Sequence, residues 1–191
     1  MKLKLLLALA ILLMQVNLHA LPVQYEGDLV DSDTVVGSVG GFGWVDDDAL
    51  NVDFWAFNST RGARITVRAT RLDEPLDLAL SLFHGTTAAD TSLFTHDADF
   101  GGMSFLTSAD DEVEVPGPFG DPFLAAFVAP FTARYTIAVG GNLSDDAGPY
   151  RYTLSLQQQQ PIPSPGTLLL VLTALGAFTL ALRSGQTQPI A

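Results

Sequence analysis

Between residues 21 and 156 apolar and polar side chains alternate in short runs. Leu76, Leu78, Leu80 and Leu82 fall on one side of an extended chain, with Asp77, Ala79 and Ser81 between them. Ile65, Val67 and Ala69 alternate with Arg64, Thr66 and Arg68, and Tyr135, Ile137 and Val139 with Arg134, Thr136 and Ala138. Tyr150, Tyr152, Leu154 and Leu156 repeat the pattern against Arg151, Thr153 and Ser155. A period of two predicts half-buried antiparallel strands. Val52 to Phe57 and Phe123 to Val128 are more continuously apolar and predict strands covered on both faces.

Turn chemistry separates these runs at Ser59-Thr60-Arg61-Gly62, His84-Gly85, Gly101-Gly102, Gly140-Gly141-Asn142 and Asp145-Asp146-Ala147-Gly148. No helical period and no internal repeat interrupts them. About eight or nine short strands in this length predict one all-β domain, an antiparallel, jelly-roll-like β-sandwich over residues 21–156.

The two ends break the pattern. Residues 1–20 place Lys2 and Lys4 before an apolar run from Leu5 to Val16, then close on the small residue Ala20. That is the layout of a secretory signal cleaved by signal peptidase after Ala20, and the run is too short to span a bilayer comfortably. At the other end Gln157–Gln160 and the prolines 161, 163 and 165 form a linker over residues 157–166 that excludes a packed element. Thr167 to Leu182 is uncharged and closed by Arg183. A core helix would show a polar face. This segment has none beyond three scattered threonines, so residues 167–183 predict a short membrane helix with its flanking charge, followed by a polar tail, 184–191.

Charge then narrows the function classes. The 191-residue chain carries all 21 of its acidic residues between Glu26 and Asp146, and residues 21–156 hold six arginines and no lysine against them, a net charge of 6 − 21 = −15. Such a field repels phosphate backbones, which argues against nucleic acid as a partner. It suits a soluble exported protein or one that binds cations. Cysteine is absent, removing disulfides, thiolate catalysis and Cys-ligated metal sites.

The order of Pro163-Ser164-Pro165, apolar helix and Arg183 near the C-terminus resembles the PEP-CTERM sorting signal of Gram-negative bacteria. The resemblance implies recognition by an exosortase, an inner-membrane intermediate, and delivery to the cell surface or extracellular matrix. Ser164 stands where that family carries glutamate, and Arg183 stands alone in place of a basic cluster. The domain between the ends is similar to bacterial pre-peptidase C-terminal domains. The similarity rests on Asn51–Phe57, on Asp77-Leu78-Ala79-Leu80-Ser81-Leu82-Phe83, on Ala133–Gly141 and on Tyr150-Arg151-Tyr152-Thr153-Leu154. It implies a non-catalytic accessory or surface module, with calcium or a polymer such as exopolysaccharide as ligands in some members.

Three kinds of chemistry suit these residues to different degrees. His84 and His96 lie in turns, serines are nearby, and no serine stands in a G-x-S-x-G elbow, so nothing marks a nucleophile. A secreted hydrolase is thus the weakest reading, and the domain is expected to be non-enzymatic. Calcium takes six to eight oxygen ligands, which acidic loops supply. Three clusters qualify: Asp46-Asp47-Asp48 with Asp53, Asp97 and Asp99 before Gly101-Gly102, and Asp110-Asp111-Glu112. The expected ligand set is Asp97 and Asp99, joined by Asp46 and Asp48, with simple solvation of acidic loops as the alternative. Of the aromatic residues, Trp55 and Phe57 belong to a core strand, whereas Trp44 and Phe100 are the expected exposed platform for a sugar ring. Together these give a calcium-dependent polysaccharide-binding module as the alternative to a plain surface protein.

Overall fold

Nine strands and two short 3₁₀ turns make up the computed structural model, which describes residues 21–143 and 148–162. The chain divides into two units, Met1–Gln159 and Gln160–Ala191, and only residues 160–162 of the second are described. The signal segment ending at Ala20, the motif Pro163-Ser164-Pro165, the apolar segment 167–182, Arg183 and the tail 184–191 lie outside the described residues, as do Asp145, Asp146 and Ala147 of one predicted turn. No helix among the described residues is long and apolar enough to cross a membrane.

The strands are β1 (Tyr25–Leu29), β2 (Thr34–Val39), β3 (Val52–Ser59), β4 (Arg64–Arg71), β5 (Leu78–His84), β6 (Ser104–Ala109), β7 (Phe123–Val128), β8 (Ala133–Gly141) and β9 (Tyr150–Gln159). They form two sheets, ordered β1-β3-β8-β5-β6 and β2-β9-β4-β7. The predicted all-β sandwich is therefore the observed architecture. One pair departs from antiparallel order: β1 runs parallel to β3. The chain reverses at the tight turn after β1, where Val30 N donates to Asp33 Oδ2 at 2.7 Å, and sends β2 into the other sheet. A second reversal returns β3 to the first sheet, and two reversals restore the original direction.

The main core lies between the sheets, where Phe57, Ile65, Val67, Leu78, Leu80, Leu82, Ile137, Tyr152 and Leu154 pack with others. A second cluster, with Phe54, Phe83, Phe94, Phe100 and Met103, covers the opposite face of the five-stranded sheet. This second layer changes two expectations. Strands β5 and β8 alternate in sequence as if one face met water, yet both faces are buried. The segment after β5 folds back over them, so Ser81 and Thr136 are inaccessible to solvent. Conversely, β7 reads as doubly covered, yet none of its six residues is buried, three being half-buried and three exposed. It is an edge strand paired only with β4, with a register shift opposite Ile65/Val67 and Ala126 at φ 49°. Bulges of this kind interrupt pairing at a sheet edge.

Gly140 and Gly141, predicted as a turn, lie inside β8. Both pair with neighbouring strands, Gly140 with Val52 and Ala79, Gly141 with Leu78. A Cβ on Gly141 would overlap the carbonyl oxygens of Gly40 and Gly41, so these glycines make room for the incoming loop after β2.

Candidate functional site

That loop carries Trp44 and the first acidic cluster. Ala49–Asn51 forms a 3₁₀ turn capped by Asp48, whose carboxylate accepts from Leu50 N at 3.1 Å and from Asn51 Nδ2 at 2.8 Å. Asp47 Oδ1 accepts from His96 N at 2.8 Å and lies 2.7 Å from His96 Nδ1. Trp44 packs against the imidazole, with ring centroids 4.1 Å apart and planes tilted by 38°. The first and second clusters do approach one another, as a sandwich allows. The meeting is made through Asp47 and His96, however, and the predicted cation ligands are engaged separately. Asp97 Oδ2 lies 4.0 Å from His96 Nε2, Asp99 Oδ1 accepts from Phe105 N at 2.9 Å, and Asp46 is exposed. Asp53 sits apart, on β3.

Phe100, predicted as an exposed platform, is 1 % exposed. It packs against Phe54 and Phe94, with centroids 6.4 and 5.5 Å away, because the Phe100–Met103 turn folds its ring onto the outer face of the sheet. Trp44 is half-buried: one ring face meets His96, and Nε1 donates to Ser81 Oγ at 2.9 Å. The Ser81 hydroxyl in turn donates to the His96 carbonyl. Asp47, His96 and Ser81 thus gather in one place, but Ser81 addresses the backbone of His96 and is closed to solvent, a geometry that holds a loop and offers no nucleophile.

A different constellation arises where three strands of the five-stranded sheet end together. Asp77 immediately precedes β5, Asp110 and Asp111 immediately follow β6, and Asn142 immediately follows β8. The strands are neighbours and run antiparallel, so the start of β5 lies beside the ends of both partners. One carboxylate oxygen from each of Asp77, Asp110 and Asp111 lies within 4.8 Å of the others. Among the described residues no other group of three metal-ligating side chains comes this close. Asp77 is 5 % exposed, and the Oδ1 atoms of Asp77 and Asp110 are buried with no hydrogen-bond partner. Asn142 Nδ2 donates to Asp110 Oδ2 at 3.2 Å, and Asp111 Oδ1 accepts from Gly120 N at 2.6 Å.

Burial, then repulsion from Asp110 and Asp111, pushes the Asp77 carboxyl up to about 7. Burial and the neighbouring Asp111 and Glu112 push Asp110 up to about 6. The nearest compensating cation, Arg71, is already committed: its guanidinium pairs with Glu74 at 3.1 Å and donates to the carbonyls of Leu76, Pro116, Phe119 and Gly120. Glu112, the third acid of this cluster in sequence, turns away to accept from Asp110 N and Phe123 N. Asp77 escaped the sequence reading because it stands as the leading acid of an alternating strand. The usable signal was an acid directly before one buried strand and an acid pair directly after its neighbour.

No protein-family model matches the chain, and none of the curated proteins matches it by sequence. Solved structures do. CorA, a surface-associated copper-binding protein of Methylomicrobium album BG8, superposes with a TM-score of 0.52 at 13 % identity, over 72 % of this chain and 98 % of its own. The pre-peptidase C-terminal domain of a Bacillus anthracis collagenase gives 0.41 at 16 % identity, over 70 % and 97 %. MopE, a secreted copper-binding protein of Methylococcus capsulatus, gives 0.47 at 11 % identity, over 69 % and 87 %. The likeness to CorA shows a shared sandwich fold and nothing about ligand.

Proposed function

We propose that this protein is an exported, non-enzymatic β-sandwich of the cell surface or extracellular matrix of a Gram-negative bacterium. The reading is carried by one arrangement in the sequence: a single sandwich enclosed between a signal-like segment ending at Ala20 and a PEP-CTERM-like tail. Signal peptidase removes the first segment. An exosortase reads Pro163-Ser164-Pro165, the apolar segment and Arg183, after a transient stay in the inner membrane. The sandwich is then the delivered cargo. Its histidines support a non-enzymatic role, since His96 is tied to Asp47 and Trp44, and His84 packs against Phe131 with centroids 4.6 Å apart. The copper named for CorA and MopE is not carried over, because the grouped acids here offer oxygen alone, whereas imidazole suits copper.

The intact mass of the protein purified from its host tests this reading. Loss of residues 1–20 and of everything after about Pro165 supports it, and extra mass at the new C-terminus marks covalent attachment to the matrix. A product that keeps Arg183 and sediments with membranes overturns the sorting.

Exopolysaccharide binding rests on Trp44 alone once Phe100 is buried, with one indole face already occupied. Unchanged retention of Trp44→Ala on an exopolysaccharide column removes that reading.

A further inference from the structure

We infer that Asp77, Asp110 and Asp111 form a binding site for a divalent hard cation, of the calcium class, at the joined ends of β5, β6 and β8. Two oxygens that each lie about 2.4 Å from one ion are at most about 4.8 Å apart. The three carboxylates meet that condition without rearrangement. Proximity of acids on a surface would carry little, since solvent screens them. Here the decisive observation is the burial of Asp77: a carboxylate 5 % exposed, with an oxygen that receives no donor among the described residues, sits against two further carboxylates. A buried oxygen left unpaired costs free energy that a native structure ordinarily recovers through a partner. Arg71 does not serve, because its donors are directed to Glu74 and to four backbone carbonyls.

The donor set selects the ion. Three carboxylates are hard oxygen ligands, no imidazole or thiol is among them, and Asn142 turns its amide nitrogen to Asp110 as a hydrogen-bond donor. Magnesium demands near-ideal octahedral geometry, whereas calcium accepts an irregular shell completed by water. Three carboxylates at two strand termini, one exposed and two more enclosed, provide the second kind of shell. The bound ion would fasten the edge strand β6 to β5. Through Gly120 N on Asp111 it would also anchor the segment returning to β7. This inference does not depend on the sorting of the chain, and the site differs from the Asp46, Asp48, Asp97 and Asp99 set expected from sequence.

The full-length chain, purified in mild detergent, stripped with EDTA and dialysed, is titrated with calcium chloride by calorimetry and by thermal unfolding. We expect saturable uptake of one ion per chain with a melting temperature that rises and then levels, and a weaker response to magnesium. Asp77→Asn and Asp111→Asn should each weaken calcium binding by at least about tenfold. A variant combining Asp97→Asn and Asp99→Asn should bind as the parent does. If Asp77→Asn fails to fold, the exposed Asp111 decides the matter alone. Absence of uptake by the parent overturns the proposal. So does parental affinity in the Asp111→Asn variant, or loss of binding in the Asp97/Asp99 variant instead.

Discussion

Tyr152 on β9 donates its hydroxyl proton to Asp53 Oδ2 on β3 at 2.7 Å, a polar bond between the two sheets of the sandwich. Trp55 Nε1 donates to the same hydroxyl at 2.9 Å, and Ser38 N on β2 donates to the same carboxylate oxygen at 3.1 Å. Gly37 makes the approach feasible, since a Cβ there would overlap the phenol of Tyr152. Tyr152→Phe removes the shared hydroxyl and strands a buried indole N–H together with a half-buried carboxylate. A loss of about 1–3 kcal/mol is expected, read from urea unfolding midpoints. A cost below about 0.5 kcal/mol would show that water replaces the hydroxyl at both partners.

The same carboxylate gives stability a pH dependence. Burial, with a smaller push from Glu26 on β1, raises Asp53 from 3.8 to about 6 against the opposing hydrogen bonds of Tyr152 and Ser38. The folded chain therefore holds this proton more tightly than the unfolded chain. Its contribution is complete below about pH 4 and is lost as pH rises through about 6. Asp53→Asn cannot titrate, so the parent should lose stability relative to this variant between pH 4 and 7. After allowance for partial exposure the difference is about 1–2 kcal/mol. Unfolding curves of both proteins at the two pH values check the sign. Parallel behaviour would mean that Asp53 titrates as a solvated acid.

Arg71 is 9 % exposed and donates to the carbonyls of Pro116 and Phe119 at 2.8 Å each, besides those of Leu76 and Gly120. It closes the long loop between β6 and β7. Lysine keeps the charge but lacks the planar fork that reaches several acceptors at once. Arg71→Lys should cost about 2–4 kcal/mol and expose residues 112–121 to limited proteolysis. A cleavage pattern identical to the parent's would place the loop's anchor elsewhere, on Asp111 and Glu112.

Gly141→Ala drives a methyl group into the carbonyls of Gly40 and Gly41 at the point where Trp44 N donates to Gly141 O and Leu143 N to Gly41 O. Backbone crowds backbone here, so no side chain can rotate away. A loss of about 2–3 kcal/mol is expected, with the loop from Gly40 to Asp48 exchanging its amide hydrogens faster. A variant that shows neither change would mean that the loop is not held against β8.

Alternation of Leu78, Leu80 and Leu82, of Ile65 and Val67, and of Tyr152, Leu154 and Leu156 determined the strands and the two-sheet class, because a period of two can bury its apolar set only on one side of a sheet. The acidic field and the missing cysteines were likewise legible, being sums over the chain that no folding alters. What Ser81 and Thr136 face was decided by the tertiary structure alone. Their alternation fixes a side of the strand, and only the return of the segment between β5 and β6 decides whether that side meets water or Phe94 and Met103. The acidic group has the same origin. Asp110 and Asp111 are adjacent in sequence, but Asp77 joins them because β5 and β6 pair antiparallel and place the start of one beside the end of the other. Register is a long-range property, and local pattern carries no record of which strand ends will meet.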